Sequence, residues 1–184
     1  MFKYLIFIMV LLAPLYSFSQ ESKLPNIIMM IGDGMGLSQI SSGMYSNNNY
    51  TSLERSHHIG LIKTHSFDDL VTDSAAAGTA MSSGVKTYNG VVGMDVNYSP
   101  VKSILEISRD KGYITAIIAT STIVHATPAS YYSKVKSRYD YDEIASQLSK
   151  SNINFFVGGG EKYFNDRRDK RNLMNEMDDY LFAN

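Results

Sequence analysis

Cysteine and tryptophan are missing from this chain of 184 residues, and proline occurs only four times. Without cysteine no disulfide can brace the fold, and any zinc must be bound by oxygen and nitrogen ligands. An excess of either charge is missing too: 17 lysines and arginines face 18 acids, for a net charge of −1. A nucleic-acid surface normally announces itself as a basic excess, so no nucleic-acid partner is expected. After the first residues no apolar run is long enough to span a bilayer. Internal repeats, low-complexity tracts and linker-like segments are also lacking. The length then suits one domain with a real core.

The N-terminus has the layout of an export signal. Lys3 supplies a positive start, Tyr4 to Leu15 is largely apolar, and Ser17-Phe18-Ser19 has the small-x-small pattern of a cleavage site. Residues 1–19 are therefore expected to be a signal peptide cleaved after Ser19, with no stable membrane span afterwards. The mature chain is expected to be periplasmic or secreted.

The stretch around which the rest is organised is Val71-Thr72-Asp73-Ser74-Ala75-Ala76-Ala77-Gly78-Thr79-Ala80. Thr72, Asp73 and Ser74 offer capping oxygens, and the alanines after them form helix easily. The spacing predicts a helix from Ser74 to about Ser83, ended by Gly84. A helix mouth attracts anions, so a hydroxyl there is a candidate nucleophile for an anionic substrate. On local spacing alone Asp-Ser before alanines also reads as an ordinary helix cap.

Asn26 to Ile31 is a short apolar run between Pro25 and Gly32, and reads as a buried parallel strand. Asp33 would then stand just past its C-terminal end, the edge where α/β sheets collect ligands. A helix is expected over Leu37–Tyr45 and a strand over Ile59–Thr64. His57, His58 and His65 have no zinc-like spacing and read as surface residues. Ser99-Pro100 is expected to open a helix that Gly112 closes. Strands over Tyr113–Ala119 and Ile153–Val157 flank a helix at Asp142–Ser149, with Asp140 and Glu143 at capping-box spacing. The charged stretch Glu161–Arg171 reads as solvated. Alternation of helix and strand argues for a layered α/β fold.

Val71 to Thr79 resembles the active-site signature of the alkaline phosphatases. Ile31-Gly32-Asp33-Gly34-Met35-Gly36 precedes it, and Lys86-Thr87-Tyr88-Asn89-Gly90 and His125-Ala126-Thr127-Pro128 follow, in the order that family uses. The resemblance implies a three-layer sandwich with a central, mostly parallel sheet. It also implies metal-dependent hydrolysis of phosphate monoesters through a phosphoserine, with two Zn2+ and one Mg2+. In that family Ser74 would be the nucleophile and a zinc ligand, and Asp33 would bridge zinc and magnesium. Thr127 would ligate magnesium, Arg138 would clamp the phosphate, and Asp73 would orient Arg138. His125 stands where well-known bacterial members carry aspartate and animal members histidine. An imidazole favours transition metals over magnesium, so His125 would reach the third metal through water or shift it toward zinc. A full-length relative would be expected to form a homodimer.

The chain departs from the family in its C-terminal part. The family's second half supplies most zinc ligands and the remaining magnesium carboxylate, yet no histidine follows Arg138. Asp166, Asp169, Asp178 and Asp179 fit no matching motif. Residues 20–184 are therefore expected to be the N-terminal part of an alkaline phosphatase domain, incomplete at the C-terminus and inactive alone. The alternatives are a non-catalytic phosphate-binding module, or a phosphodiesterase or phosphomutase of the same superfamily. The lack of cysteine, together with the different motif, argues against a sulfatase.

Overall fold

The computed structural model describes residues 25–177 and Tyr180, and the chain divides into two units, Met1–Gly32 and Asp33–Asn184. The expected signal peptide lies outside the described residues, as do Asp178 and Asp179. In the first unit no strand forms over residues 26–31, and Ile28 and Met30 are exposed.

The second unit contains α1 (Leu37–Ser46), α2 (Ser74–Ser83), α3 (Ile104–Asp110), β1 (Ala116–Thr122), α4 (Ala126–Ala129), α5 (Tyr141–Leu148), β2 (Phe155–Gly159) and α6 (Lys162–Asn165). Two 3-10 turns lie at Ser52–Arg55 and Leu173–Glu176. β1 and β2 pair in parallel, with Ala116 opposite Phe155 and Thr122 opposite Gly159. The crossover between them carries α4 and α5, as a parallel pair requires. The α/β class is thus met: a parallel sheet flanked by helices.

The helix at Ser74 runs to Ser83 as its sequence dictates. Asp73 caps it in extended conformation, its Oδ1 accepting the Ala76 N–H at 2.9 Å, and left-handed Gly84 ends it. Its side chains are too small to bury much apolar area, so it is held by close approach instead. A Cβ on Gly78 would lie 2.7 Å from Ser130 Oγ and 3.5 Å from the Thr127 Cα. Ser82 Oγ donates to the Ser130 carbonyl at 2.8 Å. Only glycine lets α2 lie this close to α4.

Several expected elements shift. The helix after Ser99-Pro100 begins instead at Ile104. Ser103 and Glu106 form a reciprocal capping box there, while Asp95 Oδ1 takes the N–H groups of Asn97 and Ser99 into a turn. The expected Asp140–Glu143 box does not form: Asp140 caps α5 without a side-chain bond, and Glu143 accepts from Gln147. β1 and β2 start later than expected, because Thr115 and Asn154 bond to each other before the ladder begins. β1 consequently runs on to Thr122 and delivers the chain into His125. The expected strand over 59–64 is not formed, and Ile59, Leu61 and Ile62 are exposed. Among the described residues the sheet has no strand besides β1 and β2 to satisfy such a segment.

The core gathers Val92, Val124, Ile144, Leu148, Ile153 and Leu173, all fully buried, with Ile117 of β1 in the same cluster. Tyr132 sits within it and donates its hydroxyl to the Ile123 carbonyl at 2.8 Å, and burial raises its pKa above the ordinary tyrosine value. The stretch 161–171 is not simply solvated. Phe164 is buried and Arg167 is only 8% exposed. Arg167 donates to the carbonyls of Asp142 and Tyr163 and grips Asp169 with Nε and Nη2, at 2.9 and 2.6 Å. That bidentate grip holds the Asp169 carboxyl down to about 2.

Candidate active site

Two hydroxyls distant in sequence meet at one carboxylate. Ser74 Oγ donates to Asp33, 3.0 Å from Oδ1 and 3.1 Å from Oδ2. Thr127 Oγ1 donates to Asp33 Oδ2 at 2.9 Å. The elements explain the meeting. α2 presents Ser74 at its first turn, and α4, packed on α2 at Gly78, carries Thr127 just past the C-terminal end of β1. That strand edge is where ligands gather in parallel sheets. Asp33 stands in the turn that Gly34 continues at φ 70°, not at a strand end as its sequence suggested.

A second cluster lies beside the first. Arg138 Nη1 donates to Asp73 Oδ2 at 2.9 Å, and Arg138 Nη2 donates to His125 Nε2 at 3.1 Å. The Arg138 and Asp73 side chains are 15% and 25% exposed, so their pairing is partly shielded from water. Asp73 therefore does two things. One oxygen caps the helix of Ser74, and the other fixes a guanidinium able to take two oxygens of a phosphate. His57, His58 and His65 are exposed and belong to neither cluster; His65 lies against Lys86.

The donor set fits a hard divalent cation in part. One carboxylate and two hydroxyls converge, which are oxygen ligands of the kind Mg2+ accepts. Among the described residues no group of three or more histidine or carboxylate side chains is placed to hold a metal ion, so these residues provide only a share of the ligands a zinc pair needs.

Sequence reading gave no role to Asn89 and Gly90, although both sit at the site. The Asn89 side chain accepts the Asp73 N–H and donates to the Val71 carbonyl, both at 2.9 Å. The signal was present, since Asn-Gly marks a turn and an Asn side chain can stand in for backbone.

A family model for alkaline phosphatase matches residues 24–180. The chain belongs to the alkaline phosphatase family. It is 41% identical over 173 residues to alkaline phosphatase 4 of Bacillus subtilis, covering 85% of this chain and 37% of that protein. It is 36% identical over 158 residues to the repressible alkaline phosphatase of Saccharomyces cerevisiae. Among solved structures, the alkaline phosphatase from the Antarctic bacterium TAB5 matches with a TM-score of 0.77 and 43% identity, over 80% of this chain and 43% of that one. A variant of the TAB5 enzyme that matches equally well has Mg bound. The chain thus spans well under half the length of these alkaline phosphatases. No helix among the described residues is long and apolar enough to cross a membrane.

Proposed function

We propose that this chain carries the nucleophile and phosphate clamp of a metal-dependent phosphomonoesterase acting outside the cytoplasm, with residues 1–19 as its export signal. The observation that carries the reading is the convergence of Ser74 and Thr127 on Asp33, beside an Arg138 held by Asp73.

In this reading Ser74 Oγ attacks the phosphorus of a bound monoester. The Oγ–P bond forms as the bond to the leaving oxygen breaks; the Ser74 hydroxyl proton passes to solvent water, and the departing alkoxide takes a proton from water. Water then attacks the phosphoserine, releasing inorganic phosphate and restoring the hydroxyl. Arg138 binds two non-bridging oxygens in each step and orients the phosphoryl group for in-line attack. The mouth of α2, whose first N–H groups lack intrahelical partners, favours the same negative charge. Asp33, Ser74 and Thr127 are the residues that would hold the divalent ions, with His125 the further candidate. Bound there, the two Zn2+ and one Mg2+ would neutralise charge that builds on the attacking and leaving oxygens.

The test is hydrolysis of p-nitrophenyl phosphate at alkaline pH by the complete gene product loaded with Zn2+ and Mg2+. Turnover is expected, and Ser74→Ala should abolish most of it; a Ser74→Ala protein as fast as wild type rejects Ser74 as nucleophile. Preference for a diester over a monoester would favour the phosphodiesterase alternative. Phosphate binding without any turnover would favour a binding module.

A further inference from the structure

The Asn89–Gly90 turn touches both halves of the site without facing the reacting atoms. Asn89 Oδ1 accepts the Asp73 N–H and Asn89 Nδ2 donates to the Val71 carbonyl, so one planar amide spans the two residues that flank Thr72. The Gly90 N–H donates to Asp73 Oδ2 at 3.0 Å, the same oxygen that receives Arg138. The Gly90 carbonyl in turn accepts the Arg138 backbone N–H at 2.8 Å. Gly90 has φ +85°, a left-handed conformation that an L side chain adopts only with strain. The turn therefore bonds the backbone and carboxylate of Asp73 on one side and the backbone of Arg138 on the other.

We propose that Asn89 is a positioning residue for Ser74, fixing the extended backbone of Asp73 that starts α2 and, through Gly90, the spacing between nucleophile and phosphate clamp. The proposal rests on Ser74 being the nucleophile. Asp73 has φ −99° and ψ 175°, and Ser74 is the next residue. A rotation about Asp73 would swing the hydroxyl away from Asp33 while leaving most of α2 intact. Asn89 opposes that rotation from outside the helix. Asn89 is itself exposed, where hydrogen bonds compete with water and add little to global stability. Reacting atoms displaced by about 1 Å lose on the order of 10²-fold in rate. The two effects can thus be separated by experiment.

The complete, metal-loaded gene product is compared with Asn89→Ala, Asn89→Asp and Ser74→Ala. Asn89→Ala is expected to lower kcat for p-nitrophenyl phosphate by about 10 to 100-fold while Tm and KM stay close to wild type. Asn89→Asp keeps the acceptor for the Asp73 N–H and is expected to recover part of kcat, though its added negative charge raises KM for an anionic ester. Independently of turnover, amide hydrogen exchange at Asp73 and Ser74 should quicken in Asn89→Ala, with Gly78–Ser83 unchanged. Wild-type kcat in Asn89→Ala, a loss of kcat that merely tracks a fall in Tm, or unchanged exchange at Asp73 and Ser74 would each overturn the role of Asn89 alone. Full turnover in Ser74→Ala would instead remove the nucleophile reading beneath it.

Discussion

Residues 72–93 and residues 51–64 lie close together in the chain and are held in opposite ways. The first stretch is tied by bonds that begin and end within it: Asp73 caps α2, Asn89 and Gly90 grip Asp73, and Thr79 Oγ1 accepts the Gly93 N–H at 2.9 Å. The second has one 3-10 turn, capped by Thr51, and then carries Ile59, Leu61 and Ile62 exposed at 90, 93 and 77%. What differs is the distance over which each must find its partners. A capped helix of small residues is specified within a few positions. An apolar strand is specified only by a neighbour elsewhere.

Substitutions that sharpen or break this contrast fall in a clear order. Asp33→Ala should have the largest effect, since it removes the group on which Ser74 and Thr127 converge. A loss in kcat/KM on the order of 10³-fold is expected in steady-state assays, the scale for losing a group that stabilises transition-state charge. Retained activity would detach the bonded stretch from catalysis. Next comes a paired stability measurement by denaturant unfolding. Leu148→Ala, at a fully buried site, should lose about 2–5 kcal/mol, whereas Leu61→Ala should stay within about 0.5 kcal/mol. Equal losses would mean that residues 59–62 are packed after all, and the contrast would fail.

Gly78→Val comes third. Its Cβ would press on Ser130 Oγ and Cβ, at the end of the helix that carries Thr127. Overpacking there should lower stability by about 1–3 kcal/mol, and activity should fall further than stability alone explains because Thr127 is displaced from Asp33. The smallest effect concerns the region around α6. Arg167 holds the Asp169 carboxyl down to about 2. A depressed carboxyl contributes stability above its unfolded pKa of about 4, and that contribution is lost as pH falls toward 2. The difference between wild type and Asp169→Asn should be present at pH 5 and be mostly lost by about pH 2 in acid titrations followed by circular dichroism. Because Asp169 is exposed, solvent screens the pair and the difference should be small.

The same contrast explains which features were legible in the sequence. The bounds of α2 could be read from Asp73 and Gly84 because their signals are local. Ser103–Glu106 carries the same kind of signal, but the helix is expected to start at Ser99-Pro100. Only the structure shows Asp95 taking the Ser99 N–H into a turn instead. The strand bounds at Tyr113 and Ile153 were misplaced because Asn154 and Thr115, distant in sequence, decide where pairing begins. Arg138 and Thr127 carry no local mark; only the family resemblance proposed roles for them, and the structure places Arg138 against Asp73 and Thr127 against Asp33. Arg167 was hidden for a related reason, since its partners lie on α5 and in the turn after α6.

The proposed chemistry turns on Ser74 accepting a phosphoryl group. The direct measurement is to mix the complete, metal-loaded gene product with a phosphate monoester labelled in its phosphoryl group, quench in acid, and map the label by peptide sequencing. The account predicts acid-stable label on Ser74 and none in Ser74→Ala. Label on another side chain, or turnover with no covalent label under conditions that trap phosphoserine, would contradict it.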